Sequence, residues 1–272
     1  MNCTRAAAMW QSDSKRPSSW SSVYYYGTSS SGGPFNFDPE MGQNVSSQGL
    51  GWDVDVRRGF VRKVFGILAA QLIVTAIFAI VVGTAPAVRA YCASSPAMLI
   101  TASVLSFVVV IALSCSDHLR RSHPINLVML GLFTLCEAYL VACIAAITPV
   151  EITITAVAIT GLLCAVLVLY AMQTRYDFTA MGGALLVTLF GLLFCGILAS
   201  FFPANCIVNI VYASIGAILF SCYLVYDVQI LLSGKRMQLD PDEYVLAALS
   251  LYLDILNIFI FLLQLLQSSS NN

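Results

Sequence analysis

The sequence has few charged residues. Asp, Glu, Lys and Arg make up only 10% of its 272 residues, and 13 basic residues nearly balance 14 acidic ones. Soluble domains carry about 25% charged residues, and proteins that bind nucleic acid need a basic surplus. The composition therefore excludes an ordinary soluble enzyme, and nucleic acid is not an expected partner.

The sequence also lacks a metal-binding pattern. It contains two histidines, His118 and His123, and its nine cysteines include no Cys-x-x-Cys pair. Structural metal sites need several such ligands at short, defined spacings. We therefore expect no resident metal or other cofactor. As a separate expectation, the protein is not an enzyme.

Long apolar segments dominate the rest of the chain. Apolar residues make up 59% of the sequence, and the mean hydropathy is +0.84. A helix needs about 17–25 apolar residues to cross the hydrocarbon core of a bilayer. These segments predict an all-α polytopic membrane protein with seven transmembrane helices. The predicted spans are 64–82, 97–115, 125–147, 152–172, 181–202, 207–232 and 244–266.

Composition divides the chain into three parts. Residues 1–56 are rich in Ser, Gly and Tyr and contain no apolar run, so they cannot bury enough surface to offset the entropy cost of ordering. We predict a disordered cytosolic tail for 1–56, a seven-helix membrane domain for 57–267 and a short C-terminal end for 268–272.

The basic residues predict the orientation. Nine Lys and Arg residues near the span ends lie on the N-terminal side of the membrane, and only Arg89 lies on the other side. Basic residues favour the cytosolic side, so we expect a cytosolic N-terminus and a lumenal or external C-terminus. The C-terminus would return to the cytosol if the polar face of the last span kept it from crossing. Cys92 and Cys206 share the non-cytosolic side, and the sequence leaves open whether they pair.

Three carboxylates lie inside the predicted spans, where each costs about 2.5–3.5 kcal/mol on insertion scales. At 1.5 Å per residue, Asp227 lies about 8 Å and Asp254 about 15 Å from the cytosolic ends of their helices. Glu137 lies about 18 Å deep by the same reasoning. Intramembrane ionisable residues usually serve a function, although Glu137 has no partner that the sequence identifies.

Asp227 and Asp254 belong to consecutive spans and could meet in the bundle. Two close carboxyls in a low dielectric tend to share one proton, and their oxygens suit Ca²⁺ when deprotonated. Ser250 and Asn257 lie on the same face of the last span as Asp254 and could line a polar path. The alternative is that each aspartate makes a structural hydrogen bond or pairs with Arg120 or Arg121 at the cytosolic rim.

Other seven-helix and diaspartyl proteins fit less well. A G-protein-coupled receptor would have the opposite orientation, and a retinal protein needs a lysine in its last span, which has none. An intramembrane aspartyl protease needs Gly-x-Gly-Asp at its second aspartate, whereas the sequence there is LYLD.

Several segments resemble the lifeguard branch of the Bax inhibitor family. The resemblance covers about residues 57–266 and is most specific in YLVYDVQILLSG and DPDEYVLAALSLYLDILNIFIFLLQLL. The other matching segments are FVRKVFGILAAQLIVT, RRSHPINLVMLGLFTLCEAY and YAMQTRYDFTAMGG. The Ser- and Tyr-rich tail differs from the Pro- and Gly-rich tails that many lifeguard proteins have.

The resemblance implies that the last helix is central and that Asp227 and Asp254 form a pH sensor, with Arg120 or Arg121 as its cationic partner. It also implies a pH-sensitive Ca²⁺ leak in Golgi, endoplasmic-reticulum or plasma membranes, with Ca²⁺ as the permeant ion, and protection from apoptosis. The alternative function is a non-conducting adaptor that inhibits death-receptor signalling through apoptosis-regulatory membrane proteins.

Overall fold

The structure is a computed structural model that describes residues 54–85, 87, 90–91, 96–116, 119, 122–201, 206–233 and 244–270. Of the predicted tail, only residues 54–56 belong to this described part.

Seven long helices account for most of the described residues, and each is long and apolar enough to cross a membrane. They are α1 (Val54–Thr84), α2 (Pro96–Cys115), α3 (Ile125–Ile147), α4 (Val150–Gln173), α5 (Gly182–Ser200), α6 (Cys206–Ser233) and α7 (Tyr244–Ser270). A short 3-10 helix, Phe178–Met181, precedes α5. The predicted all-α fold with seven spans is confirmed.

The first and last helices extend beyond the predicted membrane domain. α1 begins at Val54, ten residues before its apolar run, and therefore includes the basic residues that precede that run. α7 continues to Ser270, past the boundary predicted at residue 267. Charged and polar residues are compatible with a helix once it leaves the hydrocarbon core, so apolar runs underestimate the length of these helices.

Many hydroxyl groups in the spans bond to their own helix, as hydrocarbon favours. Several Ser and Thr hydroxyls donate to the carbonyl four residues earlier, including Thr160 to Ala156 at 2.7 Å and Ser221 to Ala217 at 2.7 Å. Such hydroxyls leave little unpaired polarity on a helix surface. Many Ile, Val, Leu and Phe side chains on α2, α4 and α5 point outwards, as expected for lipid contact.

α7 is the central helix of the bundle. More than half of its membrane-spanning residues are buried, the largest share of any span. It packs against α1, α3, α4 and α6, most extensively against α6, whereas α2 packs mainly on α3 and α5 mainly on α6. The predicted central position of the last helix is therefore confirmed.

Polar contacts connect α1 to α3 and α7. The Tyr252 hydroxyl lies 2.6 Å from Thr75 Oγ1, and Gln71 Nε2 donates to Thr134 Oγ1 at 2.9 Å. Near the start of α7, Lys63 Nζ lies 3.3 Å from the centroid of the Tyr244 ring. Interhelical hydrogen bonds and cation–π contacts stabilise helix association where lipid supplies no hydrophobic driving force.

Candidate functional site

Two of the predicted site residues come together between α6 and α7. The carboxyl groups of Asp227 on α6 and Asp254 on α7 lie close enough to interact directly. Asp254 is buried, with 5% of its surface exposed, and Asp227 is partly buried. The extensive packing of α6 on α7 brings the two aspartates together despite their different depths.

This carboxyl pair needs a proton or a cation. An ionised carboxylate can only accept hydrogen bonds, so a hydrogen bond between the two groups would require a proton on one of them. In addition, Oδ2 of Asp254 is buried and has no hydrogen-bond partner among the described residues. A buried unpaired carboxyl oxygen is costly, and a shared proton or a bound cation would lower that cost.

A cavity of about 180 Å³ adjoins Asp227 of the carboxyl pair. Its lining residues are Tyr226, Asp227, Ile230, Leu231, Leu246, Ala247 and Ser250. The Ser250 hydroxyl lies within reach of Asp227 and 3.1 Å from the Leu246 carbonyl oxygen. These residues place the cavity between the aspartates and the side of the membrane where α6 ends and α7 begins. It has room for several water molecules.

Aromatic rings fill the α6–α7 interface beyond the carboxyl pair. Phe261 of α7 stacks on Phe220 at a centroid distance of 5.8 Å and contacts Tyr212 edge-on at 5.7 Å. Tyr223 continues the row at 5.9 Å from Phe220. Asn257, one turn beyond Asp254, donates its amide to the Leu253 carbonyl of its own helix at 2.8 Å. The interface is therefore closed by packed rings on this side of the pair.

Glu137 occupies a separate site between α2, α3 and α7. It accepts a hydrogen bond from Ser106 of α2, and both residues line a cavity of about 320 Å³ that also includes Ser103 and Leu253. Leu253 precedes Asp254 on α7, so the two sites lie on different faces of the central helix. Ser106 is the partner that the sequence did not identify, because α2 is apolar on all sides and shows no preferred face.

Some of the residues predicted from the sequence lie outside the part of the chain that the structure describes. Arg120, Arg121 and Cys92 lie outside the described residues. The Cys206 thiol donates to the Ser268 carbonyl oxygen at 3.2 Å, so the start of α6 contacts the end of α7.

The fold and this site define a polytopic helical membrane protein with a carboxyl pair at the interface of its central helix. Residues 57–271 match the family described as "Inhibitor of apoptosis-promoting Bax1", and the chain belongs to this family, in its lifeguard branch.

Three relatives illustrate the similarity. The chain is 34% identical to Protein lifeguard 4 of Mus musculus over 215 residues, which cover 79% of this chain and 87% of the relative. It is 32% identical to Protein lifeguard 3 of Homo sapiens, covering 86% and 78% of the two chains. It is 33% identical to a protein of Vaccinia virus (strain Lister) named Golgi anti-apoptotic protein, covering 86% and 93%.

Proposed function

We propose that this protein is a pH-sensitive Ca²⁺ leak channel whose proton-sensing element is the pair Asp227 and Asp254. The observation that carries the proposal is the contact between these carboxyls from neighbouring helices, within a membrane-spanning interface. A buried pair that shares a proton changes charge with pH, and carboxyl oxygens suit a permeating divalent cation.

The space around the carboxyl pair is open on one side and closed on the other, which supports a gated leak. The cavity at Ser250 reaches Asp227 from one side of the carboxyl pair, and the aromatic row of Tyr212, Phe220 and Phe261 lies on the other side. One shared proton holds α6 and α7 together, and a change in the proton count alters the attraction or repulsion between the carboxyls. Separation of the helices would then connect the cavity past Asn257. Glu137 would act as an additional polar site near the ion path.

A nearby cation would stabilise the closed state. Arg120 or Arg121 is the proposed partner, because a positive charge favours an ionised carboxyl beside it. Ala at the correct position should raise the basal leak or shift its pH dependence while the protein still accumulates. If Ala at both positions leaves flux and pH profile unchanged, the two arginines act only as topology signals.

Membership of the family supports a role in suppressing apoptosis, and the name of the viral relative supports a Golgi location. The endoplasmic reticulum and the plasma membrane are the other proposed compartments. A leak that lowers the Ca²⁺ load of an intracellular store would connect ion transport to protection from cell death. Ca²⁺ acts here as a permeant ion, held transiently by Asp227 and Asp254, rather than as a cofactor.

Ca²⁺ flux from purified protein in liposomes tests the proposal. We expect Asp227→Asn and Asp254→Asn each to abolish the pH dependence between about pH 5 and 8, the range in which strongly coupled carboxyls can titrate. The double variant should be little worse than either single variant, because the two residues act as one unit. Glu151→Gln, an exposed carboxyl in the first turn of α4, is the matched control and should keep the wild-type profile.

Two outcomes would contradict the proposal. If both Asn variants keep the wild-type pH profile, the aspartates are structural hydrogen-bonding groups. If the purified wild-type protein conducts no Ca²⁺ at any pH while it still protects cells, the protein acts as a non-conducting adaptor.

A further inference from the structure

The connection between α4 and α5 contacts α6 at residues before and after Asp227 in the sequence. We call residues 174–182 the α4–α5 corner; it contains the 3-10 helix Phe178–Met181 and contacts α6. Two α6 side chains that flank Asp227, Gln229 and Tyr226, make the contacts described below. The corner is therefore attached directly to the helix segment that carries one member of the carboxyl pair.

Gln229 binds the backbone of the corner at two points. Its Nε2 donates to the Tyr176 carbonyl oxygen at 2.8 Å, and its Oε1 accepts from the Phe178 N–H at 2.8 Å. The side chain is buried, with 9% of its surface exposed. A side-chain amide that uses both its donor and its acceptor on one backbone segment fixes distance and direction together. Hydrogen bonds of this length are well formed.

Tyr226 packs against the other end of the corner. A Cβ atom at Gly182 would lie 2.6 Å from the Tyr226 hydroxyl oxygen, so only glycine allows this close approach without a shift. Tyr226 also lines the cavity beside Asp227. The neighbouring Gly183 has open space where its Cβ would be. The contact at Gly182 is therefore specific to one position.

The corner is itself well ordered by local bonds. Asp177 caps the 3-10 helix by accepting from the Thr179 N–H at 3.0 Å, and the Phe178 ring contacts Tyr170 of α4 edge-on at 6.2 Å. A connection fixed in this way to α4 transmits a displacement instead of absorbing it.

We propose that the α4–α5 corner sets the position of Asp227 relative to Asp254, with Gln229 and Tyr226 as the positioning residues. This inference rests on the proposed function, because it treats the carboxyl pair as the pH sensor. A displacement of the corner changes the separation of the two carboxyls. Their interaction falls with distance in a low-dielectric interior, so a small displacement alters how tightly the pair holds its shared proton.

The test variants do not alter the ionisable groups around the carboxyl pair. The side chains that interact electrostatically with the aspartates are Tyr223 on α6 and Cys164 on α4. The corner adds Arg175 and Asp177, which line a cavity of about 260 Å³ with Gln229. Glu137 lies on another face of α7. From α1, Lys63 contacts Tyr244 at the start of α7, and the uncharged Gln71 and Thr75 face α3 and α7. Variants at Gln229 and Gly182 leave all of these groups in place.

The first test replaces Gln229 with a residue of similar length that cannot hydrogen-bond the corner. Gln229→Met in the full-length protein should shift the midpoint of the pH profile of liposome Ca²⁺ flux by about half a pH unit or more, because the coupling of the carboxyls changes with their separation. Gln173→Met is the matched control, since Gln173 is exposed at the end of α4. It should keep the wild-type midpoint.

The second test moves Tyr226 without removing a hydrogen bond. Gly182→Ala should shift the midpoint, whereas Gly183→Ala should leave it unchanged. Addition of Tyr226→Phe to Gly182→Ala removes the closest atom and should return the midpoint part of the way towards wild type. If Gln229→Met proves too unstable to purify, the comparison of Gly182→Ala with Gly183→Ala still tests the inference.

The results distinguish positioning from simple stabilisation. A structural role alone would lower thermal stability or scale the flux equally at every pH, without a shift in midpoint, and that result would overturn the inference. If Asp227→Asn abolishes pH dependence while Gln229→Met and Gly182→Ala keep the wild-type midpoint, the inference fails and the proposed function stands. If Asp227→Asn itself keeps the wild-type profile, the proposed function fails.

Discussion

Individual polar side chains within the bundle have specific partners, and these partners determine what each residue can do. Glu137 accepts from Ser106, and Tyr252 contacts Thr75 at 2.6 Å. Asp254 differs, because its Oδ2 is buried and accepts no hydrogen bond from the described residues. Glu137 thus has a partner on another helix, whereas in the proposed mechanism the pair of Asp227 and Asp254 depends on its proton.

Removal of the Ser106 hydroxyl should destabilise the bundle. Interhelical hydrogen bonds in membranes average about 0.6 kcal/mol and reach about 1.7 kcal/mol, and a carboxyl acceptor favours the upper end. We expect Ser106→Ala to lower the free energy of unfolding by about 1–2 kcal/mol. Unfolding of the purified protein in detergent or bicelles measures the change.

Ser103 supplies the control for this measurement. Its hydroxyl is exposed and donates to the Leu99 carbonyl of its own helix at 2.9 Å, so Ser103→Ala should change the stability little. Equal losses for the two variants would mean that the Ser106–Glu137 bond contributes nothing specific.

The sequence predicts some of these residues and not others for a physical reason. Asp227 and Asp254 stand out because a carboxylate is costly at that depth. Ser106 and Gln229 carry no such signal, since uncharged polar residues can satisfy themselves within a span. Their roles depend on which helix faces are adjacent, and helices that are apolar on every side do not show which face is buried.

At the scale of helices, α6 and α7 form the element pair on which the proposed gate depends. The polar stripe of Ser250, Asp254 and Asn257 on α7 predicts that one face of this helix points into the bundle, whereas its central position is an expectation from the family resemblance. The same face packs on α6, where Asp254 meets Asp227 and Phe261 packs into the aromatic row. Gly216 of α6 makes this approach possible, because a Cβ there would lie 2.5 Å from the Phe261 ring.

Gly216→Ala should force the two helices apart. Overpacking of a tight interface costs about 1–3 kcal/mol, and we expect a similar loss of stability together with a raised basal Ca²⁺ leak. Flux at a fixed neutral pH and thermal unfolding measure the two effects. Gly191→Ala on α5 has open space around its Cβ and should behave like wild type. A stable Gly216→Ala protein with an unchanged basal leak would show that the Phe261 contact does not close the path.

The bundle as a whole places its functional parts asymmetrically across the membrane. The cavity at Asp227, the α4–α5 corner and the start of α7 all lie at the end of the bundle where α4 and α6 finish and α5 and α7 begin. The aromatic row lies towards the opposite end. If the basic residues orient the chain as they predict, the cavity faces the cytosol and the aromatic row faces the lumen.

Glycosylation mapping tests this orientation. Because α7 is helical to Ser270, an acceptor sequon should be placed in a flexible extension after Asn272, clear of the membrane surface. We expect this sequon to be modified in cells, whereas one introduced between α6 and α7, in residues 234–243, should remain unmodified. The natural sequons at Asn2 and Asn44 serve as internal controls and should also stay unmodified, since glycosylation occurs on the lumenal side. The opposite pattern would reverse the orientation and place the cavity beside Asp227 on the lumenal side. Modification at none of these positions would mean that α7 does not cross fully, with both ends of the chain in the cytosol.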